Sequence, residues 1–335
     1  MTRTRITPTI DFEKNGKQTG FLRLPHSVHE SAYGFIPIPI VVIKNGTGPT
    51  ILLNSGNHGD EYEGQVTLMK LVRELRAEQV QGRILFTPAA NFPAAIAGRR
   101  TSPIDAGNLN RSFPGDPDGT PTKQIAYYIE HELLSLCDYA LDLHSGGSSL
   151  MYVPSALGTL YPGAEKRNAE TIELLRVFGA PIGYVSHQPM GADQTFTAAA
   201  HRQGALAFGT EAGGSGTVTP SALRIAEQGV RRVLRHLGIV PDLKAEPSPG
   251  TRLMEIGGPD YFVYTSESGV FEPLAELGDE VKAGDPAAAI HFSHTPWREA
   301  DVVRFERAGV VLCKRIPGRT ERGDCLFHLG TDYRG

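Results

Sequence analysis

Cysteine is scarce in this chain, at 3 of 335 residues, and tryptophan occurs once. Cys137, Cys313 and Cys325 show no CxxC spacing, which excludes a disulfide framework and suits a reducing compartment. Basic charge is not in surplus: 33 Lys and Arg stand against 37 Asp and Glu, a formal net charge of −4. A general nucleic-acid binder usually carries a basic excess or stretch, so no nucleic acid partner is expected. No apolar run approaches the roughly 18 residues of a membrane helix. The basic opening, Met1 to Pro8, lacks the apolar stretch of a signal peptide. The expectation is therefore a cytoplasmic protein with no membrane partner. Nucleotide and nucleophile-elbow patterns are also missing, with no GxGxxG after a strand, no GxxxxGK[ST] and no GxSxG.

What is present is the composition of an ordinary globular enzyme, 40% hydrophobic and 21% charged, long enough for two domains. Apolar runs at 50–56, 83–88, 139–144 and 205–211 read as strands. Helical periodicity fills the stretches between them. The spacing of Val66, Met69, Val72 and Leu75 predicts a helix over 63–75, and that of Ile125, Tyr128, Ile129, Leu133 and Leu136 a second. A third spans about 165–178, and Thr219-Pro220 starts a fourth that runs to Leu237. Strands alternating with helices predict an α/β fold with a largely parallel sheet flanked by helices. Three prolines between Pro241 and Gly250 mark a linker, after which helical periodicity stops. The expected division is a catalytic domain over 1–240, with N-terminal strands near 21–24 and 36–43, and a small all-β domain over 241–335.

The chemistry concentrates at predicted strand ends, where open α/β sheets bind ligands. Gly56-Asn57-His58-Gly59-Asp60-Glu61 follows the first strand, and Asp142-Leu143-His144-Ser145-Gly146-Gly147 closes another. An HxxE pair alone equally describes a turn histidine beside a solvated glutamate. Together, though, His58, Glu61 and His144 supply two histidines and one glutamate, a set that holds catalytic zinc and leaves a fourth position open. Asp142 would orient an imidazole or be a buried aspartate satisfied by backbone donors. Glu211, ending a further strand, suits general acid/base work, with a cap or ion-pair role as the alternative. Between these motifs, Asn110 and Arg111 suit a substrate carboxylate, and Arg99 or Arg100 an oxyanion.

The order of HxxE, Asn-Arg, Asp-Leu-His and a later strand-end Glu resembles the succinylglutamate desuccinylase/aspartoacylase family of zinc hydrolases over about residues 45–330. The resemblance implies a zinc-carboxypeptidase-like mixed sheet and one Zn2+ per chain on His58, Glu61 and His144. It also implies Glu211 as general base, Arg100 as an oxyanion candidate, and Asn110-Arg111 as the carboxylate grip. Asn57–Gly64, Arg99–Asp105 and Asn108–Gly115 look most like the branch that removes acetate from N-alpha-acetyl-L-2,4-diaminobutyrate in ectoine degradation. Other N-acyl amino acids, a metallocarboxypeptidase and a non-catalytic zinc-binding module are the alternatives. Gly269–Pro273 and Gly278–Asp285 resemble the family's barrel-like β domain, itself similar to lipoyl domains, but no lysine occupies an obvious hairpin tip. A homodimer is the implied assembly.

Overall fold

The computed structural model describes residues 4–187 and 192–335. Its large sheet is mixed and built around a parallel centre. Gly82–Thr87, Thr50–Ser55, Tyr139–His144 and Leu206–Glu211 lie side by side in that order, all parallel. Phe35–Asn45 extends the sheet antiparallel on one flank and pairs in turn with Gly16–Pro25. On the other flank Ser155–Thr159 joins Leu206–Glu211 antiparallel, followed in parallel by Ile182–Ser186 and Arg252–Glu255. The sheet then continues antiparallel into Cys325–Asp332 and Gly309–Arg315. A second, smaller sheet holds four antiparallel strands, Asp301–Arg304, Pro286–His291, Gly269–Pro273 and Arg319–Thr320.

Both faces of the parallel strands are covered, which is why they read as continuous apolar runs rather than alternating ones. The two-residue period still sorts their side chains. Ile51, Leu53, Ile84, Phe86, Leu141, Leu143 and Phe208 face the core that includes Leu68, Leu71, Leu174, Leu175, Val230 and Val233. Those six lie on the helices Tyr62–Glu74, Glu165–Phe178 and Pro220–His236. Leu52, Leu85 and Ala140 face the opposite core with Leu109, Ile125, Ile129 and Phe196.

Two helices depart from their expected form. In Tyr62–Glu74 the buried face is Gly64, Thr67, Leu68 and Leu71, whereas Met69 of the expected stripe is exposed. Gly64 sits so close to the sheet that a Cβ there would come within 2.5 Å of the Leu143 Cβ, and this approach turns the small residues inward. The second helix starts at Pro121 and ends at Tyr128, then widens into a π turn over Ile129–Leu133 and tightens over Leu134–Leu136. Strands at 150–152, 155–159 and 182–186 have no counterpart in the sequence reading.

Candidate metal centre and active site

The carboxyl ends of Thr50–Ser55, Tyr139–His144 and Leu206–Glu211 converge on one edge, with Ser55 level with Leu143 and Glu211 level with His144. Beyond Ser55 the chain reverses at Gly56, whose φ of +70° is one that glycine adopts without strain. The turn is stapled in place: Asn91 N–H donates to the Gly56 carbonyl at 3.0 Å and Gly59 N–H to that of Arg99 at 2.8 Å. Asp60 holds the facing loop by accepting from Ser148 N–H at 2.8 Å and its hydroxyl at 2.7 Å.

Glu61 occupies the cap position of the Tyr62–Glu74 helix yet makes no side-chain cap bond. Its carboxylate is diverted between two imidazoles, Oε1 lying 2.6 Å from His58 Nδ1 and Oε2 2.7 Å from His144 Nδ1. All three residues are buried, and their candidate ligand atoms lie within 4.8 Å of one another. The far ring nitrogens are engaged elsewhere. His58 Nε2 is 3.1 Å from Asn108 Oδ1, and His144 Nε2 is 2.7 Å from Asp142 Oδ2. A proton committed to each outer contact leaves both inner nitrogens as lone pairs facing a carboxylate, so the donor set fits a cation. Electrostatics point the same way. Burial alone would raise the Glu61 carboxyl, but His58 and His144 hold it far below the usual carboxylate range. Burial would lower His144, yet Asp142 and Glu61 keep it well above the usual imidazole range. The negative surroundings that hold a proton on His144 would equally favour a divalent ion in that proton's place.

Asp142 is held by side-chain amides, not backbone donors: Asn54 Nδ2 donates to Oδ1 at 2.8 Å and Asn57 Nδ2 to Oδ2 at 2.7 Å. Glu211 has a buried oxygen, Oε2, without a hydrogen-bond partner among the described residues. Burial first, and then the negative charge of Glu61, push its carboxyl well above the ordinary range. Arg100 lies with its Nη1 3.3 Å from His58 Nδ1 and 3.5 Å from Glu61 Oε1. Arg99 is not among the cavity-lining residues. Arg111 makes no ion pair among the described residues, and burial together with the nearby Arg100 charge lowers its affinity for its proton. Asn110 spends its side-chain oxygen on Phe196 N–H at 2.8 Å, and its Nδ2 lies 3.2 Å from His144 Nε2.

These residues line a cavity of about 240 Å³ that also takes in Tyr152, Leu157, Thr159, Tyr184, Ser186 and Thr197. Sequence reasoning missed that second group, along with Asn54, Asn57 and Asn108. The asparagines lie inside or beside the motifs already singled out, but strand register alone decides which way residues 157, 159, 184 and 186 face.

Comparisons with known proteins show which family the chain belongs to. The succinylglutamate desuccinylase/aspartoacylase catalytic-domain family matches residues 47–237. An N-alpha-acetyl-L-2,4-diaminobutyric acid deacetylase of Halomonas elongata is 42% identical over 96% of this chain and 93% of its own. The product-bound structure of the ectoine utilization protein EutE (DoeB) from Ruegeria pomeroyi superposes with a TM-score of 0.93 at 39% identity, over 99% of this chain and 100% of that one. A succinylglutamate desuccinylase/aspartoacylase from Rhodobacter sphaeroides gives a TM-score of 0.93 at 37% identity over the same shares. With its ligand geometry, its strand-end glutamate and these relatives, the chain belongs to the succinylglutamate desuccinylase/aspartoacylase family.

Proposed function

We propose that this chain is a zinc-dependent deacetylase that hydrolyses N-alpha-acetyl-L-2,4-diaminobutyrate to L-2,4-diaminobutyrate and acetate. The observation that carries the reading is the convergence of His58, Glu61 and His144 beside the buried strand-end Glu211, in a chain 42% identical to a deacetylase of that specificity. One Zn2+ per chain held by those three side chains would lower the pKa of bound water toward neutrality and polarise the acyl carbonyl.

The chain's own groups supply the rest. Asn108 and Asp142 fix the two imidazoles by their outer nitrogens, so the inner ones keep their direction. Arg111 binds the substrate α-carboxylate, with the Asn110 amide beside it. Arg100 stabilises negative charge developing on the acyl oxygen. Glu211 takes a proton from the attacking water and returns it to the leaving amine nitrogen, which departs as a neutral amine. A carboxyl raised by burial is matched to both halves of that transfer. The test is acetate release from N-alpha-acetyl-L-2,4-diaminobutyrate by the zinc-supplemented protein, with a dipeptide as control. Cleavage of the dipeptide alone would replace the reading with a carboxypeptidase.

We further infer a catalytic domain over 1–240, a barrel-like β domain over 241–335, a homodimer, and a cytoplasmic location. No helix of the described residues is long and apolar enough to cross a membrane. Sedimentation analysis tests the dimer.

A further inference from the structure

Away from the candidate metal ligands, one buried carboxylate has no part in the proposed mechanism. Glu130 is 2% exposed and lies in the π turn Ile129–Leu133, whose other inward residues, Ile129 and Leu133, are apolar. Such turns are rare in helices and frequent at functional sites. A carboxylate turned into this core needs a partner, and among the described residues its one ion pair is with Arg202. The pairing is bidentate: Arg202 Nε donates to Oε1 at 2.9 Å and Nη2 to Oε2 at 2.7 Å.

Arg202 closes the helix Phe196–Arg202, and helical side chains lean toward the helix N-terminus. Its Nη1 reaches back in that direction and donates to the Asp193 carbonyl at 2.6 Å, in the short turn Ala192–Gln194. The peptide groups that follow are held by the loop of the carboxylate grip. Phe113 N–H donates to the Gln194 carbonyl at 3.4 Å, and Phe196 N–H to Asn110 Oδ1 at 2.8 Å. The Phe113 and Phe196 rings also meet edge to face, with centroids 6.1 Å apart. Asn110 in turn directs its neighbour, because Arg111 Nη1 donates to the Asn110 carbonyl at 2.7 Å. A run of named contacts therefore leads from Glu130 through Arg202, the 193–196 segment and Asn110 to the Arg111 guanidinium.

We propose that Glu130 and Arg202 are positioning residues for substrate binding: their ion pair pins the 193–196 segment against Asn110 and so aims Arg111 at the α-carboxylate. This rests on the reading of Asn110 and Arg111 as the carboxylate grip. Lysine could not replace Arg202, since a point charge lacks the planar fork that spans both Glu130 oxygens.

Calorimetric titration of the zinc-supplemented full chain with L-2,4-diaminobutyrate and with its α-carboxamide tests the proposal apart from turnover. The two ligands share a side chain, and only the first carries the carboxylate. The parent is expected to prefer diaminobutyrate at least tenfold. Arg202→Lys, at a side chain 33% exposed, and independently Glu130→Gln should each weaken diaminobutyrate at least fivefold and leave carboxamide affinity within twofold. KM for N-alpha-acetyl-L-2,4-diaminobutyrate should rise at least fivefold, with kcat within twofold of the parent. Circular dichroism and zinc stoichiometry check each variant, and Arg202→Lys carries the test if Glu130→Gln does not fold. Unchanged diaminobutyrate affinity in a folded variant, equal weakening of both ligands, a fall in kcat at unchanged KM, or a parent without the preference would each overturn the proposal. The expected binding pattern without acetate release from N-alpha-acetyl-L-2,4-diaminobutyrate would instead overturn the deacetylase reading and leave the positioning role standing.

Discussion

The proposed mechanism asks Glu211 to take a proton at one moment and yield it the next, and a buried carboxyl beside a second carboxylate is suited to that task. Glu211→Gln keeps the shape and removes the proton transfer, so kcat should fall roughly 10²–10⁴-fold. Zinc stoichiometry by mass spectrometry should stay that of the parent. Activity within tenfold of the parent would remove Glu211 from the mechanism. Asp142 touches His144 and is not one of the three candidate ligands, so Asp142→Asn should weaken zinc affinity about 10–100-fold without abolishing binding. His58→Ala and His144→Ala should lose the metal outright; competition with a chromophoric chelator ranks all three. His328 governs a different property. Burial pushes its imidazole down to about 3 in the folded state, below the usual 6.5, so the unfolded chain binds the extra proton between those limits. Its contribution to stability is therefore intact above pH 6.5 and declines as pH falls, by about 1.4 kcal/mol per unit. His328→Phe should flatten the loss between pH 6.5 and 4.5 in urea denaturation, and parallel curves for the two proteins would refute the assignment.

At the scale of elements, the site depends on loops held at close quarters rather than on any helix or strand alone. Gly59 lies between His58 and Glu61 against the Phe92–Ala97 helix, and a Cβ there would sit 2.0 Å from the Ala94 carbonyl oxygen. Backbone cannot yield as a flexible side chain does. Gly59→Ala should destabilise by on the order of 1–3 kcal/mol and weaken zinc binding, because the turn that aims His58 must shift. An unchanged melting temperature together with unchanged zinc affinity would show that the turn tolerates the displacement. The Asp60–Ser148 contacts join that turn to the loop after His144, so the two segments that carry the three candidate ligands are tied to each other directly.

At the scale of the whole molecule, the proposed boundary at 240/241 falls where the chain is irregular, yet strand pairing crosses it. Arg252–Glu255 pairs with Ile182–Ser186, and Leu150–Tyr152 pairs with Cys313–Arg315. The strands that carry Tyr152 and Tyr184 into the cavity thus take their outer partners from residues beyond 240. Limited proteolysis should cut first within 241–250, and the nicked fragments should co-elute with activity retained. A chain ending at 240 should be inactive and should melt lower than the full protein. Full activity from that shorter chain would show that the C-terminal strands are dispensable for the site.

Much of this protein was readable from local pattern. Runs such as Thr50–Ser55 and Tyr139–His144 are apolar over most of their length because both of their faces are covered, and Thr219 caps the Pro220–His236 helix by accepting from Ala222 N–H, as its place before proline suggests. His58, Glu61, His144 and Glu211 could be singled out because they follow strand ends, a relation that holds within a few residues of chain. Other features had no local signature. Met69 faces solvent because Gly64 lets the helix approach Leu143 on another side, and Asn108 meets His58 fifty positions away in the chain. The wall at Leu157, Thr159, Tyr184 and Ser186 exists only through register, since a slip of one residue would turn each of those side chains to the opposite face. Periodicity and strand-end position are short-range properties of the chain, whereas the direction of a side chain in a sheet is decided by a partner strand that the neighbouring residues do not specify.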